Sequence, residues 1–274
     1  MSSEPTPKRP RTNPTYELLY HPSIPGRGEF IRLALEAASI PYNDVANSDK
    51  KGYSIVQAAC SPKSTGDTDG NPPAFAPPAL RVPGAGKDGK TLLIYQTPNI
   101  LIYLGPHLGL APEDEAERLW VNQNMLTALD LNNEAHDTHH PIAVMQYYEA
   151  EANDGTDQKE EALKKSKNFR ENRIPKYFNF FERALKGNEE TGKGKYLVSD
   201  MLTYADTTLW QVMDGLHFAF PKELEARSND HPLLFGTFYP SIKEEKHLKE
   251  YLASDRRLPY SMGVFRHYPE LDRQ

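Results

Sequence analysis

Residues 16–45, YELLYHPSIPGRGEFIRLALEAASIPYNDV, pack a strand, a helix and a second strand into one short stretch. Tyr16 to Tyr20 is a short, largely apolar run. His21 to Gly28 is rich in turn formers. From Glu29 to Ser39 the residues Ile31, Ala34, Leu35 and Ala38 recur at helical spacing. Pro41 ends that helix, because proline lacks the N–H a continuing helix needs. Tyr42 to Val45 resumes an extended chain. A βαβ unit pairs its two strands in parallel through a right-handed crossover. The unit puts Tyr20, at the strand end, and Arg27, at the helix start, on one strand-to-helix turn.

The rest of the chain divides in character. Asn47 to Phe75 shows only a weak helical pattern over Ser54 to Cys60, followed by the loop SPKSTGDTDGNPP. Ala79–Val82 and Leu92–Tyr95 flank a Gly-rich turn, Gly84 to Gly89, in the manner of a hairpin. Thr97 is expected to cap a further helix, with Pro98 in its first turn and Ile100, Leu101, Tyr103 and Leu104 along it. Beyond Pro112 the strand patterns stop. Long helical patterns cover Glu113–His140, Gln158–Leu185, Tyr204–Phe218 and Tyr239–Ser254. Thr203-Tyr204-Ala205-Asp206 has the form of a capping box, a structural device. Residues 1–14, proline-rich and polar without periodic apolar pattern, are expected to be a disordered tail, followed by an α/β domain over 15–107 and an all-α domain over 112–274.

A length of 274 residues suits one large domain or two ordinary ones. The balance of 32 basic against 38 acidic residues gives −6 and argues against nucleic acid, whose binding needs a concentrated basic face. No run approaches the roughly 20 apolar residues of a membrane span. No apolar h-region opens the chain, which argues against a secretory signal. Cys60 is the sole cysteine, so no intrachain disulfide can form, in keeping with a reducing, cytoplasmic setting. In the tail, PKRPR (Pro7 to Arg11) reads either as a weak nuclear address or as a solvated basic run.

The βαβ–ββα order, with a proline before the third strand, is similar to a thioredoxin-like domain. There is no Cys-x-x-Cys, so disulfide exchange is excluded. From Tyr16 onward the chain resembles a cytosolic glutathione S-transferase, nearest to the tyrosine-type classes (alpha, mu, pi, sigma). Four segments carry the resemblance: LLYHPSIPGRGEFIR, APPAL, YQTPNILIYL and LTYADTTLWQ. The long insertions in the helical half and the tail RRLPYSMGVFRHYPELD fit fungal members better than animal ones. The implied fold is an α/β thioredoxin-like domain followed by an all-α helical domain.

The resemblance implies that Tyr20 donates a hydrogen bond to the sulfur of bound glutathione. The thiolate is the nucleophile, and a free thiol with pKa about 8.5 is mostly protonated at neutral pH. A fixed O–H donor favours the charged sulfur. The plain alternative is a strand-end tyrosine packed in the core. The loop to Arg27 is one residue longer than in the animal enzymes, which leaves Ser23 as a rival donor. Arg27 would add positive charge beside the sulfur, together with the helix N-terminus; alternatively it pairs with Glu29 or another carboxylate. Pro78 matches the cis-proline of thioredoxin-like folds, and the Pro77 carbonyl would accept the ligand's cysteinyl amide. Pro77 has no N–H, so one of the two usual backbone bonds is missing. Gln96 and Thr97 match the pair that holds the γ-glutamyl carboxylate at a helix N-terminus. Lys51, or Lys50 beside it, would reach the glycyl carboxylate. Asn122 falls where the tyrosine classes place an acidic residue that reaches the partner's glutathione, and Asp130 lies further along.

His136, His139 and His140 invite a metal reading, since His136 and His140 stand four apart in a helical pattern. No His-Glu-x-x-His run and no evident third ligand accompany them. A polar wall for the second substrate and a hydrogen-bonded structural cluster are the other readings, and no metal site is expected. Tyr147, Tyr148, Phe218 and Phe220 either line an apolar pocket or belong to the core. The resemblance implies a glutathione transferase, with glutathione as co-substrate, a small apolar electrophile as second substrate and a homodimeric assembly. A glutathione-dependent isomerase and a non-catalytic binding protein on the same scaffold remain open at this point.

Overall fold

The computed structural model describes residues 16–144, 146–149 and 158–274. The expected tail over 1–14, with PKRPR, lies outside them. Strand β1 (Tyr16–Leu19) leads through a tight 3-10 turn (Gly26–Gly28) into helix α1 (Glu29–Ala37) and strand β2 (Tyr42–Asp44). β2 pairs in parallel with β1, Tyr16 opposite Tyr42 and Leu18 opposite Asp44. Short helices α2 (Val45–Ser48) and α3 (Gly52–Ala59) follow. Strands β3 (Ala79–Val82) and β4 (Leu92–Tyr95) form the expected hairpin and lead into helix α4 (Thr97–Leu108). β3 also pairs antiparallel with β1, so the four-stranded mixed sheet has the order β2-β1-β3-β4.

Alternation along the strands separates two cores. Tyr16, Leu18, Tyr20, Leu80 and Val82 join the large core that includes α1 and α4. Leu19, Ala79 and Leu93 face a small core with Ala46 and Val56 from α2 and α3. Both faces of the sheet are thus covered. Every residue from Glu29 to Glu36 in α1 is buried. A helix buried all round must be packed on all sides. α1 accordingly lies between the sheet and the helical part of the chain.

That helical part comprises α5 (Glu115–His136), α6 (Lys159–Asn168), α7 (Ile174–Glu190), α8 (Tyr204–Ala219), α9 (Pro221–Arg227), α10 (Tyr239–Lys243) and α11 (Lys246–Leu252). α8 is buried at nearly every position and forms the axis of the bundle. Its N-terminus carries the expected capping box: Asp206 accepts from the Thr203 N–H (2.8 Å) and hydroxyl (2.6 Å), and also from the Leu197 N–H (2.8 Å).

Three expected helices differ from the sequence reading for local reasons. The pattern over Gln158–Leu185 contains a wide π turn, Phe169–Arg173, directly ahead of Pro175. A second π turn, Leu233–Phe238, directly precedes Pro240. Proline lacks the N–H and crowds the carbonyl four residues back, and a widened turn relieves both problems. The pattern over Tyr239–Ser254 breaks at Glu245, whose ψ of 128° is not helical. The pattern over Glu113–His140 ends at His136, so His139 and His140 leave the helix and the expected helical pairing of His136 with His140 does not occur. There the Thr138 hydroxyl donates to the Ala135 carbonyl (2.7 Å), and Pro141 disfavours helix in the residue before it.

The two parts are joined by a buried ionic junction. The Glu29 carboxylate is fully buried and accepts from Arg32 (3.0 Å), from the Tyr251 hydroxyl (2.6 Å) and from Arg257. Arg257 also donates to Asp214 on α8 (2.8 Å) and to Gln211 (3.1 Å). Arg32 reaches Asp44 on β2 (2.7 Å) and the Pro25 carbonyl (3.1 Å). Buried charge is tolerated when it is paired and hydrogen-bonded, as each of these groups is.

Candidate functional site

The sheet register gathers the candidate residues at one edge. Leu19 stands opposite Ala79, and Ala79 opposite Tyr95. Tyr20, Pro78 and Gln96 are the chain neighbours of these paired residues, so all three stand at the same end of the sheet. The parallel strand continues the row: Leu18 opposite Asp44 brings α2, with Asn47, to the same end. Side chains that are far apart in sequence meet there because strands β1, β2 and β4 all end at this edge and β3 begins at it.

Tyr20 takes the core position that the sequence left as the plain alternative. It is 5 % exposed and lies beneath the Gly26–Gly28 turn. Its hydroxyl oxygen accepts from the Arg27 N–H (2.8 Å). A Cβ on Gly26 would run into that hydroxyl, and one on Gly28 would stand 2.6 Å from the ring. Gly26 also has φ +45°, in the left-handed region that favours glycine. The two glycines of PGRGE therefore exist to let the turn close over the phenol. Burial pushes the Tyr20 pKa up, against the pull of the Arg27 N–H and the nearby guanidinium groups. The phenol stays protonated at neutral pH, and among the described residues no acceptor takes its proton. The Arg32 guanidinium lies 5.9 Å from the ring centroid.

Around this turn the loop is held in place. Ser23 is exposed, with φ +62°, and its N–H donates to Asn47 Oδ1 (2.9 Å). His21 Nδ1 meets the Tyr53 hydroxyl on α3 at 3.2 Å. Lys51 is the exposed residue that precedes α3. Pro77–Pro78 is a cis bond, as the resemblance implied. Gln96 rather than Thr97 is the N-cap of α4, because the Gln96 carbonyl accepts from the Ile100 N–H (2.9 Å). Gln96 is exposed and has φ +72°, a conformation that costs a non-glycine residue on the order of 1–3 kcal/mol and clusters at ligand sites. Thr97 follows it, buried, and its hydroxyl oxygen has no hydrogen-bond partner. Asn122 is half-buried with an unpartnered side-chain oxygen, and Asp130 is exposed.

Arg27 points away from the sheet. It does not pair with Glu29; its Nη2 donates to Asn133 Oδ1 on α5 (2.9 Å). One helical turn on stands His136. The C-terminal segment closes the same place: Gly263 lies against Ile24 and Gly26, and the neighbouring Val264 carbonyl accepts from His139 Nε2 (2.9 Å). The three histidines thus border the turn that carries Arg27. Their rings pack together, His136 on His140 at 4.6 Å and His139 edge-on to both. Tyr147 meets His140 edge-on at 5.0 Å, while Tyr148 and Phe220 are core residues and Phe218 stacks on Tyr260.

Sequence reasoning found the edge residues and missed their partners. Asn47, Tyr53 and Asn133 carry no local signal, since each is defined by a contact across the fold. Glu29 and Arg257 were visible only as charges in GEF and RRL, and an acidic residue in the first turn of a helix is ordinary enough to give no clue.

Comparison with known proteins bears on the fold. Residues 136–255 match the family model described as "Glutathione S-transferase, C-terminal domain". Among solved structures, a Fasciola hepatica sigma-class glutathione S-transferase is 19 % identical with a TM-score of 0.64, covering 90 % of this chain and 98 % of its own. A pi-class glutathione S-transferase of Onchocerca volvulus is 23 % identical with a TM-score of 0.60, covering 87 % of this chain and 92 % of its own. The prostaglandin synthase D of Nilaparvata lugens is 20 % identical with a TM-score of 0.61, covering 90 % of this chain and all of its own. No curated protein matches the chain in sequence. The chain therefore has the glutathione transferase fold, a thioredoxin-like α/β part followed by a helical part.

Proposed function

We propose that the protein is a glutathione transferase that adds the thiolate of glutathione to an apolar electrophile held between the α/β and helical parts. The observation that carries this reading is the row of Tyr20, Pro78 and Gln96 at one sheet edge, closed by the unpartnered Thr97 hydroxyl. A tripeptide fits such a row as an added strand would. Its γ-glutamyl carboxylate is taken by Gln96, Thr97 and the start of α4, where free N–H groups and the helix dipole favour an anion. The Pro77 carbonyl accepts the cysteinyl amide. Lys51 pairs with the glycyl carboxylate. The sulfur then lies toward the Gly26–Gly28 turn.

There the Tyr20 O–H, its oxygen held by the Arg27 N–H, donates to the thiolate. A hydrogen bond to a charged group is worth roughly 1.5–3 kcal/mol, which lowers a thiol pKa by about one to two units. The Arg27 guanidinium, held by Asn133, adds positive charge on the electrophile's side. Holding nucleophile and electrophile together supplies much of the remaining acceleration. Ser23, exposed at the tip of the loop, is the rival donor.

The same reading makes the protein a cytoplasmic homodimer. Phe75 is 82 % exposed in the loop before the cis-proline, and Leu119, Trp120 and Leu126 on α5 are exposed as well. Large exposed apolar groups are the material of an interaction site. Sedimentation at micromolar concentration is expected to give twice the chain mass, and Phe75→Ala to give monomer.

Two measurements test the activity. Calorimetry is expected to show glutathione binding, and conjugation of chlorodinitrobenzene is expected to fall in Tyr20→Phe and not in Ser23→Ala. The reverse pattern transfers the role to Ser23. A second reading, a non-catalytic binding protein, is favoured by the burial of Tyr20. Glutathione binding without conjugation by the wild type is its signature.

A further inference from the structure

The histidines at the junction have a chemical character that no part of the transferase reading uses. His139 Nε2–H donates to the Val264 carbonyl, so its Nδ1 carries a lone pair; that nitrogen is buried and has no partner. His140 Nδ1–H donates to the Gln146 carbonyl (2.6 Å), which leaves its Nε2 bare. His136 Nδ1–H donates to Asp137 (3.2 Å), which leaves a third bare nitrogen. Every ring N–H is spent on a protein acceptor. Among the described residues nothing donates to the three lone pairs that remain.

The rings also stay uncharged at neutral pH. Burial pushes all three below the ordinary imidazole range, and His139 falls to about 3. Arg27 beside His136, and Arg266 beside His139 and His140, push the same way. Neutral imidazoles in these tautomers accept hydrogen bonds and have none left to give. The stacked pair His136–His140 and the edge-on Tyr147 add flat aromatic surface to this acceptor wall.

We propose that this wall selects a planar electrophile that carries a hydroxyl group, whose O–H donates to a bare nitrogen of His136 or His140. The inference rests on the transferase reading for the word electrophile, and on the histidine geometry alone for the hydroxyl. His139 is a positioning residue: its bond to Val264 ties the cluster to the C-terminal segment that covers the turn. A ligand with an ether or carbonyl in place of the hydroxyl would leave the wall's lone pairs unmatched and meet acceptor with acceptor.

The test compares para-hydroxybenzylideneacetone with its para-methoxy ether, two enones of similar intrinsic reactivity. Equilibrium dialysis without glutathione is expected to show the hydroxyl compound binding about tenfold tighter to the wild type, the scale of one hydrogen bond to a buried group. His136→Phe or His140→Phe is expected to bring the ratio to within about twofold, while the corresponding Gln variant, which keeps an acceptor, retains part of it. Equal binding of the two enones by the wild type overturns the proposal, as does no binding of either. So does a hydroxyl preference that survives in both Phe variants. The wild-type contrast decides even if a variant fails to fold. The two readings fail separately. Conjugation of both enones at equal kcat/KM sinks the hydroxyl selection and leaves the transferase. A dialysis preference without any conjugation does the opposite.

Discussion

Arg27 and Glu29 are two residues apart and belong to different worlds. Arg27 lies on the edge where strands β1, β2 and β4 end. There polar groups are left unspent: among the described residues the Tyr20 proton, the Thr97 hydroxyl oxygen and the Gln96 side chain have no partner, the first two buried and the third exposed. Glu29 lies in the junction between the two parts. There the charges are consumed: its carboxylate takes Arg32, Tyr251 and Arg257, and Arg257 takes Asp214 in turn. An edge with unspent polar groups suits a ligand, and a junction of paired charges, with Arg32 Nη2 and Asp44 Oδ1 left unpartnered, suits a fixed fold. The one turn that links them, Gly26–Gly28, lets the junction hold the edge in shape, since Arg32 grips the Pro25 carbonyl and lies near the Tyr20 ring.

The contrast can be broken from the junction side first. Glu29→Ala or Arg257→Ala strands a buried partner charge, and a loss of about 3–5 kcal/mol of stability is expected in urea unfolding. A loss below about 1 kcal/mol would mean that the junction is no clamp. The edge predicts the converse. Tyr20→Phe is expected to lower conjugation about 10- to 100-fold, the equivalent of one charge-assisted hydrogen bond, while stability falls by only about 1 kcal/mol, since the Arg27 N–H loses its acceptor.

A third effect is acid sensitivity. Burial holds His139 at about 3 in the folded state, below its value in the unfolded chain. The unfolded chain therefore takes up the proton first. The stability linked to this group is complete above the ordinary imidazole value and is lost as pH falls from there toward about 3. The slope approaches roughly 1.4 kcal/mol per pH unit. Urea midpoints at pH 7 and pH 5 check it, and His139→Gln is expected to flatten the difference. Smallest is Thr97→Val, which removes one hydroxyl at the edge. It is expected to weaken glutathione binding by about 1 kcal/mol, or roughly fivefold, with a neutral effect on folding.

The same contrast explains what could be read from the sequence. The edge was legible through the resemblance, whose segments PGRGE, APPAL and YQTP each sit within a few residues of chain. The βαβ unit and the hairpin followed from period and punctuation. The short helix α2 was not legible, because VANS has too few residues to show a period. The helix end at His136 was hidden because Ala135, His136 and Thr138 read as helical until the Thr138 hydroxyl and Pro141 are counted as stops. The junction was illegible for a different reason: Glu29 and Tyr251 are 222 residues apart, and no window contains both. The burial of Tyr20 stood only as the alternative reading, because the turn's glycines were read as punctuation rather than as room for a ring.

The central claim is that the phenol at the strand end steadies a thiolate. It is tested most directly by titrating the sulfur of bound glutathione, following thiolate absorbance in the ultraviolet. The account predicts a midpoint about one to two pH units below the 8.5 of a free thiol in the wild type, and a return toward that value in Tyr20→Phe. A bound sulfur that titrates like the free thiol in both proteins would contradict it.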